Sequence, residues 1–478
     1  MIMKKRFLSL LCGGILMSAS ALAQDYTLAP ELAQQVNQIA ETIKSNPEEA
    51  DDSFSALLKG KNKKNETLVV AIGEAYLANN DLKTAKSYAE RGMELDSRSA
   101  LVCTFAGDVA LAEKNIGEAC GYYEQAIMID PDYRKAYYKY AQAYAEVYPQ
   151  LAVDMLLKLK ERHPDEINAD RELAKTYYTM GKYSQAKSAL DEFMQKGEPQ
   201  LDDYSRYAML LYLNKDYAQS LEMCGKGIAL DPENTLLKRL NMYNLYELKN
   251  YAEGLKAADA LFAEKGDTEF VYLDHLYRGR IYKANNDSIN AMTAFEEAMK
   301  ADTENQHPEI AKEASEAYED YHMYPDAIRM YKIYLDKIKD KAEVSDLFLL
   351  GRLYYMAAGM PDAGDEKPAY LMEADTIFAQ VSERVPDNYL GYFWRARANA
   401  MSDPETTEGL AKPYYEKALS ILENNPKASK SILIECESYL GYYYFQKEDY
   451  EQSKIYWNKI LELDPENAVA KQALEGLK

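Results

Sequence analysis

The feature that most constrains this chain is a small residue that recurs about every 34 positions, followed three places later by an aromatic or apolar one. The spacings between successive small residues are 34, 34, 33 and 34. The first five pairs are Gly73 and Tyr76, Gly107 and Ala110, Ala141 and Tyr144, Ala174 and Tyr177, and Ala208 and Leu211. This period predicts a repeat protein, in which each unit buries its apolar face only by stacking on its neighbours.

The residues in the second half of each unit indicate that the whole unit is a pair of helices. Twelve residues after Gly107 comes Ala119, followed by Tyr123 and Ala126, and the unit closes at Asp130-Pro131. Proline cannot continue a helix, so this dipeptide marks its end. We expect two antiparallel helices of about twelve residues per unit. Small residues at the crossing let the backbones approach, and an aromatic ring fills the space left beside them.

The pattern resembles the tetratricopeptide repeat family, which places small, aromatic and proline residues at set positions of a 34-residue unit. The second and eleventh units match it well. The residues in or next to those positions are Gly107, Ala119, Tyr123, Ala126, Pro131, Gly441, Tyr444, Trp457 and Pro465. The resemblance covers about residues 65–466 and implies an all-α fold, a right-handed superhelical solenoid of antiparallel helix pairs.

Eleven units are predicted, with a helical cap at each end. Residues 24–64 form the N-terminal cap as a helical pair, and residues 467–478 form the C-terminal capping helix. An exposed loop is expected at residues 357–369 in the ninth unit, because that segment is rich in Gly, Pro and Asp. The units start near Asn65, Ser99, Tyr133, Glu166, Gln200, Thr235, Val271, Pro308, Val344, Tyr389 and Leu433.

Residues 1–23 have the pattern of a secretory signal peptide. Basic Lys4-Lys5-Arg6 precedes an apolar stretch at 7–17, and Ala21-Leu22-Ala23 resembles a cleavage site. We therefore expect a mature chain that begins at Gln24 and is exported, most simply to the periplasm, with outer-membrane-associated and extracellular locations left open. No later stretch has the ~18 apolar residues of a spanning helix, so no membrane insertion of the mature chain is expected.

Composition argues against several classes of function. The net charge is −22, and loss of Lys4, Lys5 and Arg6 with the leader makes it −25. Such a chain is repelled by nucleic-acid phosphates and by anionic membranes, so no nucleic-acid partner is expected. The four histidines are not paired at metal-ligand spacing, and no phosphate-binding glycine loop or nucleophile motif occurs. We expect no metal, no cofactor and no enzymatic activity.

Four cysteines lie outside the leader and are too scattered for a disulfide framework. They are Cys103, Cys120, Cys224 and Cys436. Only the first two could pair, and in the predicted register they are offset by about one helical turn, which disfavours a bridge. All four are expected to be small buried fillers.

The resemblance also implies where a partner would bind. In the family, the first helix of each unit lines the concave face, and here that register selects mainly Arg, Lys and Tyr. The fifteen positions are Tyr138, Arg171, Lys175, Tyr178, Tyr212, Arg239, Tyr243, Tyr246, Arg280, Lys283, Arg352, Tyr355, Phe393, Arg397 and Tyr442. Arg and Tyr dominate binding hot spots, and arginine pairs with carboxylates.

The expected function is a non-catalytic protein-interaction scaffold of the cell envelope that binds an extended or acidic segment of an exported partner. Alternatively, these side chains only cover the surface and pair with nearby Glu and Asp. In that case the chain could be a structural subunit of an envelope or secretion assembly, bound through its ends or convex face. A glycan-binding protein is a third hypothesis, since Tyr and Trp rings also stack on sugars.

Overall fold

The computed structural model describes residues 28–263, 269–423 and 428–477. Within these ranges it contains 25 α-helices, three short 3-10 helices and no strand, so the all-α prediction is confirmed. The predicted leader at residues 1–23 lies outside the described residues. Every helix among the described residues is too short or too polar to span a lipid bilayer.

The chain divides into two compact units, with the boundary after Leu240 inside α13. The first unit holds the N-terminal helices, and a 3-10 helix at Gly60–Asn62 joins α2 to α3. The bounds are α1 (Pro30–Ala40), α2 (Pro47–Leu57), α3 (Glu66–Ala78), α4 (Leu82–Leu95), α5 (Ala100–Ala112), α6 (Ile116–Ile129), α7 (Arg134–Tyr144), α8 (Pro149–Arg162), α9 (Ile167–Thr179), α10 (Tyr183–Lys196), α11 (Leu201–Leu213), α12 (Tyr217–Leu230) and α13 (Thr235–Glu247).

The second unit continues the alternation of first and second helices. Short 3-10 helices at Lys339–Lys341 and Gly364–Glu366 lie in two of its connections. The bounds are α14 (Tyr251–Phe262), α15 (Tyr272–Ala284), α16 (Ser288–Ala301), α17 (Pro308–Asp320), α18 (Tyr324–Ile338), α19 (Val344–Ala358), α20 (Lys367–Arg384), α21 (Tyr389–Ser402), α22 (Lys412–Leu422), α23 (Lys430–Gln446), α24 (Tyr450–Leu463) and α25 (Ala468–Gly476).

Side chains at the helix starts explain where the pairs begin. The first backbone N–H groups of a helix have no intrahelical acceptor, so a preceding Asn, Asp or Ser supplies one. Asn65 accepts from the Leu68 N–H, and Ser99 accepts from the Val102 N–H. Ten of the eleven first helices begin within one residue of the position expected from the sequence, and α23 begins at Lys430, three residues before Leu433.

Close approach between helices is centred on the small residues. A Cβ added to Gly107 in α5 would lie 2.5 Å from the ring of Tyr123 in α6. One added to Gly441 in α23 would lie 2.7 Å from the ring of Trp457 in α24. The expected arrangement, an aromatic ring seated against a small residue of the partner helix, is present in both pairs.

The predicted loop at 357–369 is shorter than expected. Ala357 and Ala358 are buried residues at the end of α19, and α20 already begins at Lys367. Pro368 does not prevent this, because the first helical turn requires no N–H from it. The connection is therefore residues 359–366.

The cysteine prediction is confirmed. All four cysteines of the described residues are free and buried. They pack as small apolar residues in the helical interfaces, and burial raises the pKa of the Cys120 thiol to about 11.

Candidate partner-binding face

The fifteen positions predicted to bind a partner, here called the first-helix face, all lie on first helices from α7 to α23. Five of them are buried and hold the fold together. Tyr138 is 3% exposed and its hydroxyl donates to Glu166 at 2.9 Å. Tyr243 is fully buried and donates to Asp274 at 2.5 Å. The other three buried side chains are Tyr178, Arg239 and Phe393.

The remaining arginines of the face each bind a carboxylate of a neighbouring first helix. Arg280 donates through Nε and Nη2 to both oxygens of Glu313, at 2.7 and 2.5 Å. Arg397 holds Glu435 in the same way, at 2.7 and 2.6 Å. Two further pairs are single contacts of 2.7 Å, from Arg171 Nε to Asp203 and from Arg352 Nη2 to Glu319.

The lysines of the face are paired as well. Lys175 lies 2.7 Å from Glu172 on its own helix, and Lys283 lies 2.7 Å from Asp320 on α17. Pairing with nearby carboxylates, the alternative raised by the sequence, therefore describes all six of these cations. Binding of a partner through them stays a prediction.

Aromatic rings support two of the bidentate arginines. The Arg280 guanidinium lies 5.1 Å from the centroid of the Tyr277 ring. The Arg397 guanidinium lies 4.5 Å from Phe393 and 4.9 Å from Trp394. A cation over a ring is attracted by the ring quadrupole, so these contacts add to the ion pairs.

Four tyrosines of the face are at least partly accessible. Tyr212, Tyr246 and Tyr355 are half-buried, and Tyr355 packs edge-on against Trp394 at 5.3 Å. Tyr442 is 37% exposed and accepts a hydrogen bond from Gln446. These rings combine apolar area with a polar group, as is typical of residues at protein interfaces.

The short contacts with carboxylates raise the pKa values of the two bidentate arginines. Hydrogen bonds from Arg397 to Glu435 raise the pKa of the guanidinium, against the opposing effect of burial. For Arg280 burial acts to lower the pKa, but the bonds and charge of Glu313 outweigh it and leave the pKa raised. Both arginines therefore stay charged at any physiological pH.

The repeat pattern did not predict the acceptors Asp203, Glu313 and Glu435. Only Asp203 carries a local signal, because it follows Gln200 by three residues and its carboxylate accepts the Gln200 N–H at 2.9 Å, an N-terminal capping box. The same spacing recurs at Asp274 and Asp346.

Not every carboxylate of the first helices is paired. Glu316 lies exposed on α17 and has no ion-pair partner among the described residues.

The described residues contain no group of three or more His, Cys, Asp or Glu side chains that could hold a metal ion. The chemistry of the face is that of charge pairs and aromatic rings, which suits recognition of a polypeptide.

Comparisons with known proteins agree with the repeat pattern. Residues 100–133 and 440–467 match the model of the tetratricopeptide repeat family, and these segments overlap the second and eleventh units, in which the sequence resemblance was clearest. No curated protein matches the sequence.

Solved structures similar to this chain include other repeat proteins. The C-terminal part of a TPR repeat-containing protein from Cytophaga hutchinsonii is 29% identical, covering 56% of this chain and 99% of that one, with a TM-score of 0.44. PilW, a type IV pilus biogenesis factor, is 19% identical over 44% of this chain and 98% of its own, with a TM-score of 0.36. YrrB, a TPR protein with an unusual peptide-binding site, is 19% identical over 38% and 95%, with a TM-score of 0.31.

Proposed function

Because this chain carries tetratricopeptide repeats, we propose that it is a non-catalytic protein-interaction scaffold that holds an extended segment of a partner along the first-helix face. The observation that supports this is the recurrence of arginine and tyrosine on four first helices of the second unit, with α17, which supplies Glu313 and Glu319, between α15 and α19. Tyr246 on α13 is followed by Arg280 on α15, by Arg352 and Tyr355 on α19, and by Arg397 on α21. These two residue types contribute most of the binding energy at protein interfaces.

The partner segment is proposed to be acidic, although each arginine already binds a carboxylate. A guanidinium has five N–H donors. Arg280 uses two of them on Glu313, and Arg352 uses one on Glu319. The unused donors can bind a second carboxylate, supplied by the partner, without breaking the internal pair.

The scaffold is proposed to work in the cell envelope, most simply in the periplasm. The pattern of a basic segment, an apolar stretch and Ala21-Leu22-Ala23 supports this. The test is fractionation of cells followed by N-terminal sequencing of the protein. A start at Gln24 in the periplasmic fraction is expected, and a retained leader in the cytoplasm would refute the location.

The binding face is tested by capture from native envelopes after mild crosslinking, read by mass spectrometry. The bait is the tagged mature protein, beside a Glu313→Gln/Glu319→Gln variant and an Arg280→Gln/Arg352→Gln variant. If the partner is acidic, the first variant frees guanidinium donors and should capture more of it, whereas the second should lose it. The control is Glu451→Gln/Glu466→Gln, which removes two carboxylates that are 86% and 90% exposed near the C-terminus.

The outcomes separate the alternatives. Loss of the partner with Glu313→Gln/Glu319→Gln would mean that carboxylates of the face recognise a basic segment, and the acidic-segment proposal would be wrong. Equal capture by all four proteins would place binding away from the face, as expected for a structural subunit bound through its ends or convex surface.

A further inference from the structure

The turn between α2 and α3 carries a cluster of positive charge in an otherwise acidic chain. Lys59, Lys61, Lys63 and Lys64 are all exposed. Elsewhere lysines are commonly paired, such as Lys86 with Glu113 at 2.8 Å. None of the four ammonium groups of the turn contacts a carboxylate in the described part of the chain.

Local hydrogen bonds fix the shape of this lysine turn. Gly60 has a φ of +61°, a left-handed conformation that glycine adopts without strain, and it starts the 3-10 helix. The Asn62 side chain donates to the Leu57 carbonyl at 3.0 Å, and Asn65 accepts the Leu68 N–H at 3.0 Å. The turn thus displays its lysines from an ordered backbone.

Neighbouring charges leave the turn positive. Glu66, two residues after Lys64, is the carboxylate nearest to the turn in sequence, and the acidic residues 48–52 of α2 end seven residues before Lys59, or about 10 Å along a helix. That exceeds the screening length of about 8 Å at physiological ionic strength. The next turn approaches through the hydrogen bond from Ser99 Oγ to Glu66 at 3.3 Å. Its exposed Arg98 lies beside Asp96, so this turn adds no net charge, and the four lysines outnumber the one nearby carboxylate, Glu66.

We propose that the lysine turn is a peripheral docking site for a bilayer surface of anionic phospholipids. Lysine is a compact charge that suits phosphate groups, and each one near an anionic leaflet adds attraction. A protein partner fits less well, because protein interfaces are depleted in lysine and enriched in aromatic residues, and the turn has no exposed aromatic or large apolar side chain. Leu58 beside it is buried, so the contact is electrostatic and without insertion.

This proposal is independent of partner binding on the first-helix face. The net charge of the whole chain predicts repulsion from anionic membranes, whereas the lysine turn would be attracted to them. The local attraction and the overall repulsion are compatible because salt screens acidic groups that lie more than a few screening lengths from the membrane surface.

The test is cosedimentation of the mature chain with vesicles of phosphatidylcholine, with and without phosphatidylglycerol, at low and high salt. A Lys59→Gln/Lys61→Gln/Lys63→Gln/Lys64→Gln variant is compared with Lys86→Gln/Lys196→Gln/Lys226→Gln/Lys256→Gln. The control has the same net charge, but its exposed lysines each come from an ion pair. Circular dichroism confirms that both variants fold.

We expect binding only to vesicles that contain phosphatidylglycerol, with loss at high salt. Each lysine contributes roughly a factor of five in partitioning, so the turn variant should bind on the order of 10²–10³-fold more weakly, and the control should bind like the unaltered chain. Equal loss in both variants, or no binding by the unaltered chain, would overturn the proposal. Binding to soluble polyphosphate or polyglutamate without binding to vesicles would also overturn it, and would assign the turn to a soluble polyanion or an acidic protein.

Discussion

Arg280 binds Glu313, which lies 33 residues later in the sequence, through two hydrogen bonds. Nε donates to one carboxylate oxygen at 2.7 Å, and Nη2 donates to the other at 2.5 Å. The pair joins α15 to α17, the first helices of consecutive repeats. Arg397 and Glu435 make the same join between α21 and α23 across 38 residues. Bidentate geometry fixes orientation as well as distance, so these pairs set the register of one repeat on the next.

We predict a measurable coupling energy between Arg280 and Glu313. Their side chains are 23% and 28% exposed, so solvent screens the pair only in part. A double-mutant cycle of Arg280→Met and Glu313→Gln, read from urea unfolding, should give about 1 kcal/mol. The same cycle on Lys196 and Glu192, which are 64% and 51% exposed, should give a value near zero. Equal coupling in both cycles would show that the bidentate geometry adds nothing.

The repeat pattern was sufficient to place the helices but not the acceptors of the arginines. Caps and Asp-Pro dipeptides are local signals, so α3, α5 and α24 start and end close to the expected residues. An ion pair between repeats depends instead on how far the connecting turns rotate each helix pair. Among the arginines of the first-helix face, the sequence separation runs from 32 residues for Arg171 and Asp203 to 38 for Arg397 and Glu435.

The depth of burial on the first-helix face could not be predicted from the sequence either. A register of positions identifies which residues share a helix face, but neighbouring helices decide how deep each lies. Tyr243 is buried because it stacks on Tyr277 at 4.3 Å and donates to Asp274, contacts that arise only when α13 and α15 meet.

Many buried tyrosines donate a hydrogen bond from their hydroxyl group to an acidic side chain. The Tyr123 hydroxyl donates to Asp108 at 2.8 Å, and the Tyr331 hydroxyl donates to Asp346 at 3.2 Å. This accounts for part of the excess of 42 tyrosines over 11 phenylalanines. In a chain with abundant carboxylates, a phenol at the edge of the core has an acceptor that a phenyl ring cannot use.

We predict that Tyr123→Phe destabilises the chain by about 1 kcal/mol, the usual contribution of such a hydrogen bond. Asp108 keeps its ion pair with Lys139 at 3.0 Å, so no buried charge is left unpaired. Tyr122→Phe is the control, because the neighbouring hydroxyl makes no hydrogen bond within the described residues. Thermal unfolding of both variants checks the difference, and an equal loss in the two would refute a role for the bond.

Two glycines of the second repeat should respond to alanine with opposite signs. A Cβ at Gly107 would meet the Tyr123 ring at 2.5 Å, so Gly107→Ala should destabilise by about 1–3 kcal/mol through overpacking. A Cβ at Gly121, within α6, would meet nothing within 4 Å. There alanine should stabilise by about 0.5–1 kcal/mol, because it favours the helix. Urea unfolding of each variant gives the sign, and stabilisation by Gly107→Ala would contradict the packing described.

Glu437 makes the C-terminal repeat sensitive to pH. It is 3% exposed, with one oxygen 3.7 Å from Lys459 and the other without a hydrogen-bond partner among the residues that the structure describes. Burial raises the pKa of its carboxyl from the ordinary value of 4.5 to about 7, and Glu423 and Glu462 add to the effect while Lys459 opposes it. Between these two pH values the folded chain keeps a proton that the unfolded chain has released.

We predict that this proton makes stability fall as pH rises. The contribution of Glu437 is fully present below about pH 4.5 and is lost by about pH 7, a change of about 3 kcal/mol. Glu437→Gln cannot ionise, so it should unfold like the unaltered chain at about pH 5 and at a higher urea concentration at about pH 8. Glu451→Gln, at a side chain that is 86% exposed, is the control. The same difference between the Glu437→Gln variant and the unaltered chain at both pH values would show that ionisation of Glu437 is not its cause.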